Sequence, residues 1–128
     1  MTSPTSRITG VDFVFVPTTD FEAASEFYSG VLGLPCSATY GRVPGGEFET
    51  GNLTLQVVES EAIGRKFEPS THPIALHVDD VEAARAELEA DGVSFSGETL
   101  DTGVCHMALF EDPDGNALLL HHRYAPRS

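Results

Sequence analysis

The chain has 128 residues, of which 41% are hydrophobic, and its 20 acidic residues outnumber 7 basic ones to give a formal net charge of −13. This length and composition suffice for one folded domain and exclude wholesale disorder. The negative charge disfavours binding to nucleic acid or to an anionic membrane surface. The first ten residues contain no apolar run, so we expect no signal peptide and a cytoplasmic location.

The first half of the sequence predicts a strand, a helix and three more strands. Residues 11–16 are rich in β-branched and aromatic side chains, which is typical of a buried strand. A helix should begin after Asp20, whose carboxylate can cap it, and end at Gly30 and Gly33. Three short strands separated by turns follow at 36–40, 47–50 and 53–59.

The second half repeats this order of elements. A strand at 74–78 precedes a second capping residue, Asp80, and a helix that Gly92 stops. Strands are predicted at 93–99, 104–110 and 117–124. The starts of the two helices share four residues at an offset of 60: Asp20, Glu22, Ala23 and Ala24 match Asp80, Glu82, Ala83 and Ala84. An internal duplication explains both the shared order and these identities.

These elements predict an α+β fold made of two βαβββ modules. The first module spans 1–59, a charged linker spans 60–72, and the second module spans 73–128. Neither module is large enough to bury both faces of its own sheet, so the two should pack as one compact domain. We expect a cupped, eight-stranded mixed sheet with the helices outside. The sequence leaves open whether the modules pair within one chain or between two.

Three segments of the sequence carry a family resemblance: VDFVFVPTTDFEAASEFYSGVLGLP, IALHVDDVEAARAELEADGV and FEDPDGNALLL. They are similar to the opening of the first module, the second module and the closing hairpin of the vicinal-oxygen-chelate superfamily of glyoxalases, bleomycin-resistance proteins and dioxygenases. Together they span nearly the whole chain and imply the fold. They do not imply one function, because the superfamily includes isomerases, dioxygenases, thiol transferases and antibiotic-sequestering proteins without metal.

The resemblance also implies where a metal would bind. Metal-using members place one ligand on each of four strands, and the matching positions here are Phe13, Gln56, Pro73 and Leu119. Phe, Pro and Leu have no lone pair to donate, and one Gln oxygen cannot hold a divalent ion against water. A one-residue slip would bring His72 to the third position but would reverse every side chain on that strand. We therefore expect the usual metal site to be absent.

Three histidines are candidates for a different site. Side chains alternate along a strand, so His77 shares the parity of Pro73, and His121 that of Leu119. A four-residue turn at 112–115 would place His106 on the same face as His121. These histidines could be core or rim residues, orient a polar group of a ligand, or hold a metal at a relocated site.

Aromatic side chains are candidates for the wall of a pocket. Phe13 stands where relatives place a metal ligand, and Phe15 has the same parity on its strand. Phe48 is a third candidate, although aromatics on strands also commonly belong to the core. We expect a ligand site that combines Phe13, Phe15, Phe48, Gln56, His77, His106, Leu119 and His121.

Two functions from different classes follow. The preferred one is a protein that binds a small aromatic or cationic molecule, such as an antibiotic or toxic metabolite, without a metal or other cofactor. The alternative is a divergent lyase, isomerase or dioxygenase with Zn, Fe or Mn at His77, His106 and His121. The resemblance further implies a homodimer whose cavities are completed across a two-fold axis. The sequence assigns no catalytic residue.

Overall fold

The structure is a computed structural model that describes residues 6–127. Residues 1–5 and Ser128 lie outside the described residues. The expectation that the first ten residues contain no signal peptide falls partly on these residues. The elements are β1 (Phe13–Thr18), α1 (Phe21–Ser25, continued by a π-helical segment, Glu26–Val31), β2 (Cys36–Thr39), β3 (Gly45–Glu49), β4 (Thr54–Glu59), a 3₁₀ turn (Ser60–Ile63), β5 (Ile74–His77), α2 (Val81–Ala90), β6 (Phe95–Asp101), β7 (Cys105–Glu111) and β8 (Ala117–Arg123).

The strands form two four-stranded mixed sheets with the same topology. Sheet A has the order β1-β4-β3-β2, and sheet B has the order β5-β8-β7-β6. In each sheet the first strand of the module runs parallel to the last, and the other pairs are antiparallel. This confirms the predicted α+β fold of two βαβββ modules. Within residues 6–127 the sheets stay separate, because no strand of one pairs with a strand of the other.

Both helices begin at the aspartates that the sequence indicates. Asp20 and Asp80 have extended backbones, and their carboxylates accept the N–H of Ala23 at 3.2 Å and of Ala83 at 3.0 Å. Each carboxylate thereby satisfies a backbone donor that the helix itself leaves unpaired. In the described part of the chain, no helix has the length and apolar composition needed to cross a membrane.

The end of the first helix differs from the prediction. Gly30 was expected to stop the helix but lies inside the π-helical segment, and the chain leaves the helix at Gly33, whose φ is 74°. That left-handed conformation favours glycine because it has no Cβ. π-Helical turns are rare and occur frequently at functional sites.

The helix-covered faces of the two sheets meet in one hydrophobic core. Its buried members are Val16, Ala24, Phe27, Tyr28, Phe48, Leu55, Val57, Val81, Ala108, Phe110, Leu118 and Leu120. Because side chains alternate along a strand, each sheet turns its other face away from this core. We define the open face of sheet A by Phe13, Phe15, Glu47, Glu49, Thr54 and Gln56, and that of sheet B by Ala75, His77, Met107, Leu109, Leu119, His121 and Arg123.

A buried carboxylate between β7 and β8 joins the two modules. Asp112 accepts a hydrogen bond from the Tyr28 hydroxyl of the first module at 2.7 Å, and both residues are buried. The Asn116 amide donates to Asp112 at 2.8 Å and to the backbone carbonyl of Pro17 at 2.7 Å. Burial, followed by the nearby Asp112 charge, raises the pKa of Tyr28 well above its ordinary value, so its hydroxyl remains a donor.

Replacing Tyr28 by Phe should lower the free energy of unfolding by about 2 kcal/mol, because the buried Asp112 carboxylate loses a charge-assisted donor. Chemical denaturation followed by circular dichroism measures this change. Tyr124→Phe is the matched control, since the exposed Tyr124 hydroxyl also donates to a carboxylate, that of Asp101, at 2.7 Å. The control should unfold at the wild-type denaturant midpoint. Equal losses in the two variants would contradict this account of the buried contact.

Candidate functional site on the open sheet faces

Two rows of side chains cross the open face of sheet A. Strand pairing produces the rows Phe13–Thr54–Glu49 and Phe15–Gln56–Glu47. Each row runs from an aromatic ring on β1, through a polar side chain on β4, to a carboxylate on β3. A molecule that lies along a row would meet an apolar surface at one end and hydrogen-bond acceptors at the other.

The aromatic end of these rows is accessible. Phe13 and Phe15 are 42% and 57% exposed, whereas Val16 between the sheets is buried. The two rings form an edge-to-face pair, with centroids 5.2 Å apart and planes at 83°. Such a pair is a platform on which a flat or hydrophobic molecule can bury apolar surface.

A chain of hydrogen bonds connects the polar groups of the second row. The Gln56 amide donates to the Tyr40 hydroxyl oxygen at 2.6 Å, and that hydroxyl donates to Glu47 at 2.7 Å. Burial, together with the hydrogen bond to Glu47, raises the pKa of Tyr40 to about 12. The phenol therefore stays protonated at neutral pH and continues to orient both neighbours.

The carboxylate of the first row is held by two hydroxyl groups. Ser37 and Thr54 each donate to Glu49 at 2.6 Å. These bonds, that of Ser37 first, lower the pKa of Glu49 below its ordinary value, so its negative charge persists in mildly acidic solution. Within residues 6–127 no cationic side chain lies within ion-pair distance of Glu47 or Glu49. Their charge is therefore available to a ligand or to a second chain.

The open face of sheet B is more apolar and carries imidazole groups. Its rows are Ala75–Leu119–Leu109 and His77–His121–Met107. His77 is exposed at the edge of the sheet, and Leu119 is only 7% exposed. Arg123 continues this face, and its Nε is buried without a hydrogen-bond partner in the described part of the chain. A buried donor of this kind is a group that a ligand or a second chain can satisfy.

The prediction that His106 shares a face with His77 and His121 is wrong. Glu111 pairs with Ala117, so the turn spans 112–116 and is one residue longer than expected. This shift pairs Met107 with His121 and moves His106 to the opposite side of sheet B. The physical cause is the carboxylate of Asp112, which accepts the backbone N–H of Asn116 at 2.9 Å and draws that residue into the turn.

Two further candidates lie away from the open faces. Phe48 is fully buried in the core, where its ring centroid is 5.9 Å from that of Tyr28. His106 lies at the start of β7, with Nε2 3.4 Å from a carboxylate oxygen of Asp101 and its ring centroid 4.9 Å from that of Tyr124. The structure thus brings Phe13, Phe15 and Gln56 together on sheet A, and His77, Leu119 and His121 together on sheet B.

The positions that the resemblance assigns to a metal do not fit one. Phe13 and Leu119 present hydrocarbon groups on the open faces, and Pro73 is an exposed residue just before β5. Gln56 is the one position with a donor oxygen, and a single amide oxygen cannot hold a divalent ion against water. Within residues 6–127 no group of three or more His, Cys, Asp or Glu side chains is placed to hold a metal ion.

Sequence reasoning missed Tyr40, Glu47, Glu49 and Arg123. The strand parity that placed Phe15 would also have placed the two glutamates, since they flank Phe48 on β3. Tyr40 offered no comparable signal, because its role depends on contacts with two other strands.

Comparison with known proteins agrees with this architecture. The family model of the Glyoxalase/Bleomycin resistance protein/Dioxygenase superfamily matches residues 10–120, so the chain belongs to this superfamily. No curated protein matches the sequence.

Several solved structures share the fold. TnmS3, an antibiotic binding protein from Streptomyces, is 26% identical, covers 93% of this chain and 99% of its own, and has a TM-score of 0.79. A superfamily member from Sphaerobacter thermophilus is 23% identical, with coverages of 89% and 97% and a TM-score of 0.76. Lactoylglutathione lyase from Agrobacterium tumefaciens is 18% identical, with coverages of 89% and 93% and a TM-score of 0.75. The last two likenesses show the fold alone.

The Ser37→Ala variant should raise the pKa of Glu49 toward that of an ordinary glutamate, and Thr54→Val should raise it less, because each change removes one donor to the carboxylate. Carboxyl carbon NMR titration measures both values. The lowered folded-state pKa favours the folded state above the ordinary glutamate pKa, and this contribution is lost as the pH falls. Ser29→Ala, on the exposed side of the first helix, should leave the titration unchanged. An unshifted Glu49 in both variants would rule out the proposed hydroxyl contacts.

Proposed function

We propose that the protein binds a small aromatic or cationic molecule, without a metal, and sequesters an antibiotic or toxic metabolite. The observation that carries the proposal is the exposed Phe13–Phe15 pair. Phe13 occupies a position that the resemblance assigns to a metal ligand, and Phe15 is its neighbour on the same face of β1. An aromatic platform at that position binds by apolar burial and stacking rather than by coordination. The two free cysteines, Cys36 and Cys105, are compatible with a reducing, cytoplasmic location.

The polar groups of sheet A define the chemistry of the ligand. Glu47 and Glu49 offer negative charge without a cationic partner among the described residues, and Gln56 offers an amide beside the Phe15 ring. A ligand with an aromatic part and a basic nitrogen would satisfy both ends of a row. The likeness to TnmS3, an antibiotic binding protein, supports this class of ligand.

A metal-dependent enzyme is less well supported. The three histidines proposed for a relocated site do not share a face, because His106 pairs with His122 and lies on the other side of sheet B from His121. His77 and His121 alone would leave a divalent ion short of protein ligands. We therefore assign these two imidazoles to the orientation of a ligand.

We further propose a homodimer in which the open face of sheet A meets that of sheet B from a second copy. The apolar residues Ile8, Val11, Phe13 and Phe15 are all exposed along one segment of a single chain, which is typical of a surface covered by a partner. The carboxylates of sheet A can also pair with Arg123 on sheet B, where Glu111 lies at the far end of β7 from Arg123. A two-fold axis would complete two equivalent cavities.

Protein purified without a histidine tag and treated with EDTA should still bind an aromatic cation from a thermal-shift panel of natural products. At a ligand concentration of about 100 times Kd, the melting temperature should rise by about 10 °C. Phe15→Ala should weaken binding by about tenfold or more, because stacking and apolar burial are lost.

The control for Phe15→Ala is Ile63→Ala, which removes another exposed apolar side chain, from the 3₁₀ turn. This variant should bind with wild-type affinity. Loss of binding after EDTA, or full affinity in the Phe15→Ala variant, would refute metal-independent binding on the aromatic pair.

Sedimentation equilibrium should give a mass of about twice 13.7 kDa at micromolar concentration. Val11→Asp should shift the protein toward monomer, because an unpaired charge would be buried beside the aromatic pair. Ile63→Asp places the same charge outside the proposed interface and should remain dimeric. A wild-type monomer, or equal dissociation of both variants, would exclude this interface.

A further inference from the structure

A cavity of about 580 Å³ lies at the seam between the two modules, on the core side of sheet B. Its floor is apolar and is formed by Val31, Leu34, Leu76 and Leu88, all of which are only partly buried. This volume lies within the usual range for small-molecule sites. The cavity shares β5 with the open face of sheet B, but it contains none of the aromatic or acidic residues of sheet A.

The rim of this seam cavity is acidic. Glu87 and Asp91 both border it and lie one helical turn apart at the end of α2. Glu89 in the same turn pairs with Arg85 at 3.3 Å, whereas Glu87 and Asp91 have no cationic partner among the described residues. Carboxylates at the C-terminus of a helix are repelled by the negative end of the helix dipole. The last turn of α2 contains no basic residue that would neutralise these charges. A bound cation would relieve this repulsion.

Two other features of the seam cavity are typical of ligand sites. Val31, the last residue of the π-helical segment, forms part of its wall, and such segments occur frequently at functional sites. β5 is an edge strand, so its outer backbone groups can bond to a molecule in the cavity. The cavity therefore combines an apolar floor with a few placed polar groups.

We propose that the seam cavity is a second binding site, for a small amphipathic cation whose apolar body packs on Leu76 and Leu88 and whose positive nitrogen lies against Glu87 and Asp91. This site shares Ala75 and His77 with the open face of sheet B but uses no residue of the open face of sheet A, so it stands whether or not Phe13 and Phe15 bind a ligand.

Fluorescence titration of the full chain with berberine, a polycyclic cation that brightens in apolar surroundings, tests the proposal. Berberine should bind the wild type, and Ala84→Phe should weaken binding by at least tenfold because the new ring fills the cavity. The Glu87→Gln/Asp91→Asn double variant should weaken binding by about five- to tenfold and reduce its salt dependence. The anionic dye anilinonaphthalene sulfonate should bind at least tenfold more weakly than berberine.

Two control variants locate the bound berberine. Glu61→Gln/Glu98→Gln removes the same net charge from exposed positions outside the cavity and should not change the affinity. Because berberine is itself an aromatic cation of the class proposed for the open face of sheet A, all titrations are repeated in a Phe15→Ala background, where binding at the seam cavity should persist. If circular dichroism shows that Ala84→Phe is unfolded, the berberine affinity of the Glu87→Gln/Asp91→Asn variant alone decides the test. The proposal is overturned if the Phe15→Ala protein does not bind berberine, or if adding Glu87→Gln/Asp91→Asn to that background leaves the affinity unchanged.

Discussion

The buried carboxylate of Asp112 is the contact on which the rest of the architecture depends. It accepts the Tyr28 hydroxyl from the first module, and it draws Asn116 into the turn between β7 and β8. The first bond links the two modules beside their shared core, and the second stabilises the longer turn of the last hairpin. Because register decides which side chains share a face, the turn that this carboxylate stabilises places Met107, and not His106, beside His121 on the open face.

The shared core also explains why the open faces are left uncovered. Each module places one sheet face against its helix and against the other module, which leaves the second face without a partner in a single chain. The two surfaces have different chemistry: sheet A offers aromatic rings and carboxylates, and sheet B offers apolar side chains, imidazoles and Arg123. A pair of copies that brings these faces together would enclose a cavity with apolar walls and a negatively charged end, which suits an aromatic cation.

The fold could be predicted from the sequence because its signals are local. The aspartate caps determine the helix starts, and the alternation of side chains determines the facing of Phe13 and Phe15. The shared topology of the two sheets confirms the predicted order of elements. The turn length could not be predicted, since it depends on the bonds that the backbone N–H and the side-chain amide of Asn116 make to Asp112 in the folded hairpin. The acidic groups of sheet A were missed because carboxylates on a strand are usually solvated. The hydrogen bonds from Tyr40 to Glu47, and from Ser37 and Thr54 to Glu49, show that both are held in place.

A crystal structure of the EDTA-treated protein with a stabilising aromatic cation would test the central claim most directly. The account predicts that the ligand lies on the Phe13–Phe15 pair of one protomer, with its basic group directed at Glu47 or Glu49 and with sheet B of a second copy closing the cavity. A ligand or ion coordinated among positions 13, 56, 73 and 119, or a protein whose open faces remain uncovered with the ligand bound elsewhere, would contradict it.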